Sequence, residues 1–322
     1  MRFVEPNQPL FPPLSPPPSP RVTLDDALKA LDVPESVAAD TLAFTSRRVR
    51  DPKINAGDKS KRLMRMDRFR DWLAAPPRES DLILVEGHCS GGAVAAGRVS
   101  PISAICAALI EELHWTDQDP TPARPPAVVL HHFCSQHRRD RDPLRGPAGL
   151  VRNLTHQLLH QLLQQSPWQG GLGFADGELL RGVSEHDIHS LCRLFCDATA
   201  RLDPSRPVFC LIDGVSELET ALNGWQEDAC SIVEMLCRLV DDAGGRAGPA
   251  LRVLLTSSVR STVLAGTVVP SDRHVSLRGS RSPARQSSLL PFQREVGELL
   301  MVCYSEVLSD DPEVGTETLH AD

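Results

Sequence analysis

The sequence predicts an α/β fold, a parallel sheet with helices on both faces, preceded by a small helical segment. Three observations carry this prediction. Short, continuous apolar runs recur at Leu82–Val85, Ala127–Phe133, Pro207–Asp213 and Ala250–Ser258. They are too short for helices and do not alternate with polar residues, so they read as strands buried on both faces. Longer segments with apolar residues at helical spacing lie between them. The 41% apolar content of the 322 residues fills a core of that size, chiefly with aliphatic side chains because aromatics make up only 4%.

The chain opens on "MRFVEPNQPLFPPLSPPPSP", whose prolines occupy the place where a signal peptide needs its apolar helix. Residues 1–22 are expected to be a disordered, proline-rich arm. A helical segment over 23–78 follows. Thr23 and Pro34-Glu35-Ser36 start and break two short helices, and "KSKRLMRMDRFRDWL" places Leu63, Met66, Phe69, Trp72 and Leu73 on one side of a third. Residues 79–278 carry the alternating strands and helices. After the strand at 127–133, "AGLVRNLTHQLLHQLL" and "EHDIHSLCRLFCDATARL" read as helices. "DACSIVEMLCRLVDDAGG" reads as a helix closed by Gly244 and Gly245. "HVSL" (274–277) reads as a short fifth strand. Residues 279–322 supply a linker, a terminal helix over "FQREVGELLMVCYSEVL" and an acidic tail.

The formal charge of -8 argues against a chain that seeks nucleic acid or an anionic membrane as a whole. Between Arg47 and Arg70, however, ten Lys/Arg stand against three Asp. Such a segment can bind a phosphate backbone or form a solvated face. No apolar run reaches the roughly 18 residues of a membrane span. The nine cysteines sit mostly in apolar periodic segments without paired spacing, as expected of reduced, buried thiols in a cytoplasmic protein. "HHFCSQH" (131–137) has metal-ligand residue types, but no second Cys/His pair stands at finger spacing.

The candidate chemistry begins after the strand at 82–85. "GHCSGGAVAAGRVS" holds two overlapping glycine frames, Gly87 to Gly92 and Gly92 to Gly97. A phosphate-binding loop of the form G-x-x-x-x-G-K-[ST] uses backbone amides, a lysine and a hydroxyl to hold a nucleotide and magnesium. The first frame has neither cation nor hydroxyl behind it. The second has Arg98 as the cation, with Ser100 one place late. Ser100 is also a natural N-cap, with Pro101 at the first helical position, so the next helix is expected to begin there. Further on, "VFCLIDGVSELE" ends a strand in Asp213 and Gly214, with Glu217 beyond. An acid there orders magnesium and a second polarises water, which makes Asp213 the candidate Mg ligand and Asp213 with Glu217 the candidate catalytic pair. "LRVLLTSS" puts Thr256 at another strand end, where a hydroxyl senses a phosphate or caps a loop.

The order "FRDWL…LILVEGHCSGG", "VVLHHFC", "GPAGLVRNLTHQLL", "PVFCLIDGVSELE", "LRVLLTSS" resembles the NACHT-type modules of fungal STAND proteins, the nephrocystin-like N-terminal group, over roughly Arg68 to Val263. The resemblance implies a P-loop NTPase-like sheet, ATP or GTP with Mg, and slow hydrolysis. It also implies a D-G-x-D-E acid motif, matched by Asp213, Gly214 and Glu217 with Ser216 replacing the second acid. The sensor strand ends in Thr-Ser-Arg in that group, and Ser258 stands here in place of the arginine. STAND proteins carry further winged-helix and repeat regions, for which the residues after the fifth strand are too few.

Three functional readings follow. The first is a degenerate NTPase with an incomplete Walker A loop, acting as a protein-interaction or signalling scaffold, with related STAND proteins among its partners. The second is a nucleotide-binding switch using Gly87, Gly92, Gly97, Arg98, Ser100 and Thr256. The third is an α/β protein that binds nucleic acid through Arg47–Arg70.

Overall fold

The computed structural model describes residues 22–49, 54, 56–76, 78–89, 99–116, 127–165, 172–173, 175–242, 248–278 and 288–309. Helices α1 (Leu24–Leu31), α2 (Val37–Val49), α3 (Gly57–Met64) and α4 (Asp67–Leu73) lead into strand β1 (Asp81–Glu86). Helix α5 (Pro101–Thr116) and strand β2 (Val128–Phe133) follow, then α6 (Gly146–Gln165), α7 (Gly177–Ser184) and α8 (Ile188–Thr199). Strand β3 (Val208–Asp213), helix α9 (Trp225–Asp242), strands β4 (Leu251–Ser257) and β5 (His274–Ser276), and helix α10 (Leu290–Ser309) complete the order.

The five strands form one wholly parallel sheet in the order β2-β3-β4-β1-β5. The expected fold class is the observed one. Alternation along each strand explains its continuous apolarity. Leu82, Leu84, Cys210, Ile212, Val253 and Leu255 enter a core shared with α1, α6, α7, α8 and α9. Ile83, Val85, Phe209, Leu211 and Leu254 enter a second core shared with α3, α4, α5 and α10. The same alternation turns Asp213 and Thr256 toward α5.

Two buried arginines tie the N-terminal helices to the rest of the fold, one to a helix and one to the sheet. Arg152 of α6 donates from Nε to Leu31 O and from Nη2 to Asp32 O, both at 2.6 Å, and so satisfies carbonyls that the end of α1 leaves open. Arg252 of β4 donates to the carbonyls of Leu73 (3.2 Å), Pro76 (2.7 Å) and Ala75 beyond the end of α4, and its guanidinium lies 5.2 Å from the Phe209 ring centroid.

Three elements differ from the sequence reading. The amphipathic run 59–73 is two helices, because Met66 takes an extended conformation (φ -86°, ψ 113°) as N-cap of α4. The break turns Phe69, Trp72 and Leu73 inward as a buried set. Helix α7, built on "GELLRGVS", was not expected at all; Asp176 caps it through Leu179 N at 2.8 Å, and Leu179 and Val183 bury its inner side. Helix α9 begins at Trp225, three residues before the expected Asp228. The proline-rich arm up to Arg21, Gly244 and Gly245, most of the linker and the acidic tail lie outside the described residues.

Candidate functional site

The carboxyl ends of β3, β4 and β1 form a common rim, where an open parallel sheet places its ligands. Asp213 and Thr256 are register partners, and Thr256 Oγ1 donates to Asp213 Oδ1 at 2.7 Å. Helix α5 closes over the pair. Cys106 Sγ lies 3.9 Å from Asp213 Oδ1 and 3.7 Å from Thr256 Oγ1. Asp213 is 2% exposed, and its Oδ2 is buried without a hydrogen-bond partner. Burial pushes this carboxyl above the usual carboxylate range, opposed by the nearby hydroxyls of Ser103 and Thr256. The Ser103 hydroxyl, which lies near Asp213, also contacts Ser100 Oγ at 2.9 Å. Burial also pushes the Cys106 thiol well up, which keeps it protonated and inert.

Ser100 is the N-cap of α5. Its Oγ accepts from Ser103 N at 3.0 Å while Ser103 Oγ accepts from Ser100 N at 3.2 Å, a reciprocal box that satisfies amides at the helix start. Pro101 takes the first helical position, as expected.

Gly87 continues the sheet rather than opening a loop. Gly87 N donates to Ser257 O and Cys89 N to Ser258 O, each at 2.7 Å. A Cβ at Gly87 would stand 2.4 Å from Ile102 Cγ1, so glycine is required here by the close approach of α5. Lys59, from α3, donates to the Gly87 carbonyl. Gly92, Gly97 and Arg98 lie outside the described residues.

Glu217 sits in the short turn Val215–Glu217 behind Gly214, whose φ of +82° only glycine adopts freely. Its Oε2 pairs with Arg138 Nε at 3.1 Å, and its charge reaches Asp213 and helps to hold that carboxyl up. Two carboxylates that the sequence reading passed over do more to organise the rim. Glu86 Oε1 accepts from Ser261 N at 2.9 Å, and its Oε2 lies 3.5 Å from His88 Nε2. Glu219 accepts from the Ser261 hydroxyl, from Thr262 N at 2.8 Å and from Leu264 N at 3.1 Å. Together they fasten the loop after β4 to the ends of β1 and β3. Glu219 stands two residues beyond Glu217 in "DGVSELE", the one local signal that pointed to it.

These residues permit a fit test for magnesium and a nucleotide. The orphaned Oδ2 of Asp213 is a vacant acceptor, but its partner oxygen is taken by Thr256. Among the described residues, the amides of Gly87 and Cys89 are bonded to β4, the helix start is capped by its own serines, and Ile102 packs on Gly87. The rim thus offers a triphosphate no free amide at Gly87, Cys89, Ser100 or Ser103, while Lys59 brings a cation to its edge and residues 90–98 lie outside the described residues.

Elsewhere, "HHFCSQH" forms a packed polar cluster. His132 and His137 stack at 4.8 Å, and His137 Nδ1 bonds Asp142 Oδ1 at 3.0 Å. Among the described residues no three His, Cys, Asp or Glu side chains are grouped to hold a metal. The eight described cysteines form no disulfide. No described helix is long and apolar enough to cross a membrane.

No curated protein and no solved structure matches the sequence. Residues 60–258 match the family described as nephrocystin 3, N-terminal. That span runs from α3 to the end of β4 and takes in Gly87, Asp213, Glu217 and Thr256. Since it covers more than half of the 322 residues, the chain belongs to the nephrocystin 3 N-terminal family.

Proposed function

We propose that this chain is a degenerate, STAND-type NTPase module that works through protein contacts and not through nucleotide turnover. The observation that carries the reading is the sealed acid strand. Asp213, the residue that would order magnesium, is buried beneath Cys106 with Thr256 as its hydrogen-bond donor. A magnesium ligand needs its lone pairs free and its charge developed, whereas burial here favours the neutral carboxyl. The incomplete Walker A loop supports the same reading, since Gly87 is followed by neither Lys nor a hydroxyl at the required spacing. On this reading the module is cytoplasmic, and its partners are proteins, among them complete STAND proteins of the fungal kind that its motif order resembles.

The test is direct. The purified full chain is denatured and the supernatant assayed for released ATP, ADP, GTP and GDP; the refolded or fresh protein is then titrated with ATP and GTP in the presence of Mg2+. The expected outcome is an empty protein and no saturable binding. Stoichiometric nucleotide, or tight Mg-dependent binding that Asp213→Ala removes, overturns the proposal.

One observation favours a second reading, a nucleotide switch with an unconventional loop. Lys59 brings a cation to the Gly87 carbonyl from outside the glycine motif. If that lysine serves a phosphate, Lys59→Met weakens nucleotide binding as strongly as Arg98→Ala; without any binding in the parent chain, this reading fails.

A further inference from the structure

Helix α6 carries His156 and His160 one turn apart. Side chains at i and i+4 stand above one another on a helix, and here the two rings converge through the same atom. Nε2 of His156 and Nε2 of His160 are 3.3 Å apart, with ring centroids at 4.5 Å and planes inclined by 60°. That separation is at the long end of a hydrogen bond between ring nitrogens. It also matches a chelate. Two imidazoles bound at about 2.05 Å to one tetrahedral ion have nitrogens about 3.3–3.4 Å apart. His156 is 6% exposed, which fixes its ring, while His160 is half-buried and opens the pair to solvent.

We propose that His156 and His160 form a two-histidine chelate for a borderline transition metal ion of the zinc or nickel class, with water completing the coordination. Imidazole pairs suit these ions and not magnesium or calcium, which take oxygen ligands. Each ring binds through the Nε2 lone pair; the ring that donated the N–H···N contact moves its proton from Nε2 to Nδ1, so the contact is given up and a neutral pair releases no proton. The site is separate from the strand rim and from the stacked pair His132 and His137, whose planes lie nearly parallel at 21° and cannot converge on one ion.

The experiment uses the full chain without a histidine tag, reduced and stripped of metal, titrated calorimetrically with Zn2+, Ni2+ and Mg2+. The expected result is one saturable equivalent of Zn2+ and Ni2+ and none of Mg2+. Losing one ligand costs at least as much as losing an outer-shell partner, so His160→Gln is expected to weaken binding by about tenfold or more. His160 is half-buried, so that variant folds as the parent does; His156→Gln, with folding checked by circular dichroism, gives the same loss. Absence of Zn2+ and Ni2+ binding overturns the proposal, and so does unchanged affinity in His160→Gln, which would place the ion on cysteines or other histidines.

Discussion

Replacing Asp213 by Asn separates the two roles open to this residue, a magnesium ligand or a buried structural acceptor. In the structure one carboxyl oxygen accepts from Thr256 at 2.7 Å and the other has no partner. Asparagine keeps the first bond and places an amide where the orphaned oxygen stands, close to Ser103. It also removes the cost of burying a charge. Burial raises the folded carboxyl above its ordinary 3.8, so the proton is held more tightly in the folded state. The contribution of that proton to stability is fully present below 3.8 and is lost as pH rises through the folded value, at about 1.4 kcal/mol for each unit of difference. At pH 7 the Asn variant is therefore expected to match or exceed the parent, with a gain of about 1 kcal/mol or less, because the hydroxyls of Ser103 and Thr256 already offset part of the charge cost. Asp213→Ala leaves the Thr256 donor without its acceptor and is expected to lose ~1–3 kcal/mol. Urea denaturation at pH 4 to 8 reads both. With m of about 1–3 kcal/mol/M, a 1 kcal/mol gain moves the midpoint by roughly 0.3–1 M. If Asn costs as much stability at pH 7 as Ala, the charge itself is needed, a cation must face Asp213, and the sealed-acid reasoning is wrong.

Two other substitutions test how the rim is built. Arg252→Met keeps the stem against Phe209 but strips the donors from the carbonyls of Leu73, Ala75 and Pro76; a loss of about 3–5 kcal/mol in the same urea assay is expected, against a near-neutral result for Arg252→Lys only if a single bond suffices. Gly87→Ala forces a methyl to 2.4 Å from Ile102 Cγ1 and is expected to cost ~1–3 kcal/mol, recovered in large part by Ile102→Ala in the double variant; a tolerated Gly87→Ala in the parent background would mean that α5 stands farther from β1 than described.

What was legible in the sequence followed from locality. The runs at 82–85, 127–133, 207–213 and 250–258 read as strands because each buries both faces, and a strand with that burial has one compatible sheet. Ser100 read as a helix start because a capping serine stands directly before Pro101, and the structure completes that local cap with Ser103, three residues on. The break at Met66 did not show, since apolar spacing from Leu63 to Leu73 fits one continuous helix and only tertiary packing of Trp72 and Phe69 selects two. Helix α7 hid for the converse reason. Its two glycines argue against a helix, and it is held by the Asp176 cap and by Leu179 and Val183 reaching the core.

The site divides along the same line, and the division bears on function. Asp213, Thr256 and Gly87 were singled out from the chain because strand ends are local features. What each of them does is decided by residues far along the chain: Ser257 and Ser258 take the amides of Gly87 and Cys89, Cys106 covers Asp213, and Lys59 reaches Gly87 from α3. A motif reports which residue types stand at a strand end, whereas chemistry depends on which of their atoms are free. In a working phosphate loop the backbone amides point away from the sheet toward the ligand. Here two of them extend the β1–β4 ladder, and the helix that would oppose the phosphate is capped by its own side chains. On the proposed reading, a lysine introduced near Gly97 is expected to bring no nucleotide binding unless the Gly87 and Cys89 amides are also released from β4.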